Sequence, residues 1–225
     1  MGPNGGETAP IHYRARMPSL SPRAQQTRAL LIEQGIRAFG ELGHDRVNLV
    51  ADILQPAGVN PGSFYHQFSD KTDLLLAILD EAGTRRAATM LAPMDGGSVE
   101  EIVGTIIGRV FESMDDQDHL WTIQSRERSS AEPRIRERIL RSRMEWIDGI
   151  TVLIVAYAEM GEDDARQAAE MIVVFGLGLV SLYLGLSPDE RAGRRDRLHA
   201  AATHFVTAGA TAMVLTDSTR SLATS

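Results

Sequence analysis

The stretch Asn60 to Phe68, NPGSFYHQF, directly after Ala57-Gly58-Val59, constrains the chain most, because it fixes where a short helix begins and which way its faces point. Ala57-Gly58-Val59 reads as a glycine turn between two short helical stretches. Asn60 can cap the new helix through its side-chain oxygen, and Pro61 suits the first helical position, where no backbone N–H bond is required. Small side chains, Gly62 and Ser63, then occupy the leading end. Phe64 and Phe68 stand four residues apart and so share a face, which turns inward, while Tyr65, His66 and Gln67 carry hydrogen-bonding tips elsewhere. A helix of this design, packed on one side and small at its tip, suits entry into a DNA major groove.

From Thr27 to Leu76 the resemblance becomes specific. Thr27-Arg28, Leu31, Ile36, Phe39, Gly43, Val50, Ile53, Ala57-Gly58-Val59, Gly62, Tyr65, His66, Phe68, Lys71 and Leu74 together resemble the DNA-binding domain of the TetR family of bacterial transcriptional regulators. The resemblance implies an all-α fold: an N-terminal three-helix helix-turn-helix domain followed by a helical ligand-binding and dimerisation domain. It also implies that Asn60, Pro61, Gly62 and Ser63 lie nearest bases while Thr27, Asn48, Tyr65, His66 and Lys71 mainly hold phosphates. Beyond Leu76 the likeness is one of architecture only. Two departures stand out. The link Gly43–Asn48 is one residue longer than usual, and Pro56 sits near the end of the second helix, where proline removes an i to i−4 bond and clashes with the preceding turn. The second helix is therefore expected to stop or bend at Leu54 or Gln55.

Net charge is −7, which at first opposes a nucleic-acid partner. Its distribution changes the reading. Residues 1 to 75 hold seven basic and seven acidic groups, against sixteen and twenty-three in the remainder, so the excess negative charge lies outside the presumptive reading head. A neutral domain still binds phosphate when its cations and helix ends face one way. Lys71 is the single lysine among 23 basic residues. In the first turn of a helix opened by Asp70 and Asp73, a cation opposes the helix dipole, a penalty that a DNA phosphate reverses. A solvated surface lysine is the plainer alternative.

The remaining segments give an outline of helices. The first starts at Ser21-Pro22 or at Thr27 and ends at Gly43; the second covers Asn48 to Gln55, the third Pro61 to Phe68. A longer helix from Asp70 carries Leu74, Leu75, Ile78, Leu79 and Ala82. Pro93–Gly97 breaks the chain, and Ser98 with Glu101 forms a capping box. Asp115–His119 reads as a turn. Arg126–Arg143, with seven arginines and three glutamates interspersed and Pro133 between them, reads as a salt-bridged helix surface rather than a second nucleic-acid patch. The domains expected are an arm at 1–20, a reading head at 21–75, a helical effector and dimerisation unit at 76–216, and a flexible tail at 217–225. Arg14 and Arg16 in the arm are in reach of a minor groove if the arm orders on DNA, though a free tail is the simpler reading.

Met171–Ser187 is seventeen residues without a charge, bordering on membrane-span length. Nearby Arg166, Glu170 and Asp189, and small residues Gly178, Ser181 and Gly185 along one face, favour close helix–helix contact instead. The stripe Leu198, Ala201, Ala202, Phe205, Val206, Ala210 and Met213 supplies a second apolar surface. Helices at about 163–186 and 188–214 are thus expected to form a homodimer interface, as the TetR resemblance implies, with no membrane partner. A dimer is also what recognition of a pseudo-palindrome in double-stranded DNA demands, since one short helix reads too few bases.

No catalytic constellation, cofactor fingerprint or metal cluster is legible, so no enzyme, cofactor or metal is expected. With no cysteine and no apolar leader in Met1–Ser21, the composition suits a reducing cytoplasm. Phe111, Met114, His119, Trp121, Trp146, Tyr157 and Phe175 are the candidates to line a pocket for a small hydrophobic or amphipathic effector, the warrant being the family likeness; taken singly, each reads as ordinary core. The chain is therefore expected to be a homodimeric repressor that such a ligand releases from its operator. A helical binding or interaction protein with a degenerate DNA head is the competing reading.

Overall fold

The computed structural model describes residues 21–90, 92, 98–116, 118–158 and 160–223. The expected arm, with Arg14 and Arg16, and the break at Pro93–Gly97 lie outside the described residues. Helices α1 (Pro22–Leu42), a wide helical turn at Leu49–Leu54 running into α2 (Gln55–Ala57), α3 (Pro61–Tyr65) and α4 (Lys71–Met90) form the N-terminal part. Helices α5 (Val99–Asp116), α6 (Asp118–Glu127), α7 (Pro133–Ala158), α8 (Glu162–Leu184) and α9 (Pro188–Ala223) form the rest. The fold is all-α, and no strand occurs among the described residues.

Local chemistry sets the helix ends. Ser21 caps α1 by accepting from the Ala24 N–H, so the earlier of the two possible starts is the one adopted, with Pro22 in the first turn. Ser98 and Glu101 form a reciprocal capping box on α5, and Ser187 and Glu190 repeat it on α9. At α4 the Asp70 carboxylate accepts from the Asp73 N–H, while the Asp73 carboxylate accepts from Ser69. The Ser69 donors, helped by Arg134, hold the Asp73 carboxyl below its ordinary range.

The head does not close on itself. Leu31, Phe39, Ile53, Phe64, Leu74, Leu75 and Ile78 are buried in one cluster that also takes in Leu120 and Ile123 from α6 and Ile135 and Ile139 from α7. A second cluster centred on Phe111, Met114, Trp121 and Tyr183 lies where α5 meets α8 and α9. The core of the head thus runs past residue 75 into its neighbour.

At four places the structure refines a local expectation. The second helix neither stops at Leu54 nor Gln55: it continues through Pro56 to Ala57. The turn ahead of the proline is wide, with the Gln55 N–H bonded to the Val50 carbonyl five residues back, and this widening relieves the clash an ideal turn would impose on Pro56. Between α5 and α6 the expected turn at Asp115–His119 shrinks, since α5 runs to Asp116 and α6 starts at Asp118. The arginine-rich run finds many of its partners across the fold rather than along its own surface. Arg134 pairs with Asp70 and Asp73, Arg138 with Asp80, and Arg126 donates to the Phe39 and Gly40 carbonyls. At the far end, helix α9 continues to Ala223, through most of the stretch expected as a tail.

Candidate nucleic-acid interface and effector cavity

Gly58 adopts φ +64, a left-handed turn that glycine takes without steric cost, and its N–H bonds back to the Gln55 carbonyl. The chain then extends through Asn60, whose Oδ1 accepts from the Ser63 N–H at 2.8 Å, and α3 starts at Pro61. Phe64 is fully buried, with ring contacts to Tyr65 and Phe68. Asn60, Pro61, Gly62 and His66 are exposed, Ser63 is half-buried, and Tyr65 is 61% exposed. A Cβ at Gly62 would press at 3.3 Å on the Asn60 Oδ1, the atom that caps the helix, so the glycine leaves room for that cap. Regular helix ends at Tyr65, three residues before the expected Phe68, and bonds from the His66, Gln67 and Phe68 N–H groups tighten the last turn. Gln67, which sequence reasoning left without a role, donates from Nε2 to the Ala24 carbonyl at 2.9 Å and ties the reading helix to the first turn of α1.

The other expected phosphate holders are less uniform. Asn48 is exposed and caps the second helix, its Oδ1 accepting from the Val50 and Ala51 N–H groups. Thr27 lies in the second turn of α1, its hydroxyl donating to the Arg23 carbonyl. Lys71 has a place in the fold that neither alternative drawn from sequence named. Its ammonium donates to the His44 and Val47 carbonyls at 2.7 and 2.9 Å. It stitches the long link between α1 and the second helix, where His44 and Val47 are buried, the His44 N–H bonds Glu127 and the His44 ring reaches Thr72. Replacing Lys71 by Met leaves both carbonyls without this donor; the expected loss is about 2 kcal/mol of stability, read as a lower denaturant midpoint with unchanged slope.

A cavity of about 300 Å³ lies among α5, α6, α7 and α8. Trp121, Trp146, Tyr157 and Phe175 line it. The remaining three candidates go elsewhere. Phe111 and Met114 are buried in the second cluster, with the Phe111 ring against Tyr183, and His119 packs on α1. Apolar periodicity marks such residues as inward-facing without saying which inward space they meet.

Residues 25–78 match the family model for bacterial regulatory proteins, tetR family. The reading head is a TetR-family domain. Likeness of fold extends well beyond that segment. A transcriptional regulator from Rhodococcus sp. Rha1 aligns with 83% of this chain and 96% of its own at 16% identity, TM-score 0.65. Salmonella enterica GusR aligns over 81% of this chain and 94% of its own, with 19% identity and TM-score 0.66. For a tetR-family transcriptional regulator from Streptomyces coelicolor the coverages are 87% and 83%, the identity 19% and the TM-score 0.65.

Helix α6 touches both the cavity and the head. Trp121, Gln124 and Ser125 line the cavity, as does Arg128 just past the helix end, whereas Leu120 and Ile123 enter the head core. Arg126 holds the last carbonyls of α1, Glu127 holds the His44 N–H, and a Cβ at Gly40 would lie 2.7 Å from the His119 Nδ1. Those head contacts were missed from sequence; Gly40, in the last turn of α1, was their one visible trace.

Proposed function

We propose that this chain binds double-stranded DNA as a homodimer on a pseudo-palindromic operator, acting as a cytoplasmic repressor rather than an enzyme. A small apolar or amphipathic effector in the cavity releases it. The observation that carries the reading is the exposed surface of α3: Asn60, Pro61, Gly62, Tyr65 and His66 face outward while Phe64 and Phe68 lock the helix from within. Residues 21–75 form the reading head in this proposal and 76–216 the effector and dimerisation unit. Thr27 and Asn48 serve as phosphate holders beside Tyr65 and His66. Lys71 acts on DNA mainly through the link it braces.

The dimer reading is supported by α8 and α9. Met171, Val174, Gly178, Ser181, Leu182 and Gly185 all lie on the exposed side of α8, and Ala201 and Phe205 are exposed on α9. Ala202 and Val206 of the same α9 stripe are buried, and the side chains of Ala210 and Met213 lie outside the described residues. Helix α8 is long and apolar enough to cross a membrane, but its apolar residues divide between a packed face and this unpartnered one, the pattern of a helix that a second subunit covers. Release by ligand follows from α6: a molecule that fits the cavity better when α6 shifts favours a conformer in which the two heads are wrongly spaced, and weakens DNA binding by its differential affinity.

Selection of bound duplexes from a random library at near-physiological salt tests this function. A recovered pseudo-palindrome supports it. Recovery of no motif by protein that is folded and dimeric would transfer the chain to the interaction-protein reading.

A further inference from the structure

We infer that the cavity takes an anionic amphiphile: a single apolar chain of about ten carbons whose negatively charged head sits at the rim between Arg128 and Arg143. This deepens the effector reading and rests on it for its regulatory meaning only.

The lining is aliphatic and aromatic apart from a few positions. Among the described residues its charged members are Arg128 and Arg143, both at exposed positions, and no Asp or Glu of that set lines it. Exposed arginines without partners are ordinary on a protein surface. What singles out these two is their place at the mouth of an apolar cavity, where neither makes a hydrogen bond or ion pair with the described residues. Arg134, Arg138 and Arg126, from the same arginine-rich run, are all engaged with the head. A pair of free guanidinium groups beside an apolar wall matches a carboxylate or phosphate that carries a hydrocarbon tail.

A third cation stands behind the wall. Arg86 of α4 is 3% exposed, and its guanidinium lies 4.4 Å from the centre of the Trp121 ring, which lines the cavity. Among the described residues no carboxylate pairs with it; its Nε donates to the Ala82 carbonyl. Burial, and then the charge of Arg138, lower its pKa to about 10, so it remains a cation at neutral pH. Positive charge unbalanced in a low-dielectric wall favours an anion and disfavours a cation in the space beside it.

Gln124 adds a polar contact. It lies one turn before Arg128 on α6, and its buried side-chain oxygen has no partner. The amide presents either its oxygen or, turned over, its NH2 group, and the latter donates to the same anionic head. Size sets the tail. At ~30 Å³ per water-sized group, the cavity accommodates roughly ten methylene-sized groups.

Decanoate, decyl phosphate and 1-decanol, each below its aggregation concentration, test the inference by fluorescence of Trp121 and Trp146. These are the chain's two tryptophans and both line the cavity. At least one anion is expected to bind roughly tenfold or more tightly than decanol, with carboxylate or phosphate distinguished by which is preferred. The double variant Arg128→Gln/Arg143→Gln should remove that preference and leave decanol binding unchanged. Equal binding of all three compounds, tighter binding of decanol, or no response to any of them overturns the inference. Release of the selected duplex is measured separately. Anion binding without release refutes the effector reading alone, whereas release by decanol with no anion preference refutes the anionic head alone.

Discussion

Phe64→Ala is expected to cost about 3–5 kcal/mol, while Tyr65→Ala, one residue away, costs within ~0.5 kcal/mol and instead removes specific DNA retention. The two side chains share a five-residue helix and touch each other, their ring centres 5.2 Å apart. Their environments are opposite. Phe64 has no exposed surface and lies in the cluster that joins the head to α6 and α7, so truncation leaves a cavity that a short helix held by Asn60 at one end and Gln67 at the other cannot collapse to fill. A loss of that size is a large part of the ~5–15 kcal/mol that stabilises a typical domain. Tyr65 is 61% exposed, and its removal deletes only surface contact and a hydroxyl. Thermal unfolding by circular dichroism, paired with retention of the selected duplex, separates the two. A stable Phe64→Ala head would contradict the packing; undiminished DNA retention by Tyr65→Ala would contradict the reading surface.

The features legible in the sequence were those whose partners lie within one helical turn. Asn60 finds the Ser63 N–H three residues on, Ser98 and Ser187 find Glu101 and Glu190 at the same spacing, and the four-residue interval of Phe64 and Phe68 fixes a face. Such pairs are decided before the chain collapses. Lys71 was not legible in this way, because its acceptors belong to residues 27 and 24 positions earlier, brought to it only when α1 and α4 pack. The same holds for Arg126, whose acceptors on α1 are more than eighty residues away. Pro56 shows a different limit. Steric reasoning located the strain, but the chain absorbed it by widening the preceding turn instead of ending the helix. Among the cavity candidates, aromatic type and periodicity marked the inward residues, yet of Phe111 and Trp121, which share one buried cluster, only Trp121 also reaches the cavity. Trp121 also gives its indole N–H to Ser113, a partner on α5 that no spacing rule names.

Phe205→Glu should convert the proposed dimer to a folded monomer. Phe205 is 63% exposed in a single chain, so a charge there costs the isolated subunit little. In a dimer formed through α8 and α9 it would be buried beside the exposed Met171, Val174 and Leu182 face, where an unpaired carboxylate carries a heavy desolvation penalty. Sedimentation is expected to show one subunit, and binding to a pseudo-palindromic duplex should fall by roughly 10²–10⁴, since linking two heads makes the second contact intramolecular. A half-site duplex should be bound as weakly by the variant as by the parent, which distinguishes lost pairing from a damaged head. The Phe205 ring also stacks on Phe175, with centres 4.8 Å apart, and Phe175 lines the cavity. One aromatic pair therefore joins the proposed subunit interface to the proposed ligand space, so a molecule that moves Phe175 acts on the geometry that sets the separation of the two reading helices. Phe175→Ala in the dimer is then the milder companion: the subunits stay paired, and what changes is how far ligand binding lowers DNA affinity. Persistence of a dimer in Phe205→Glu would place the subunit contact elsewhere and detach the cavity from it.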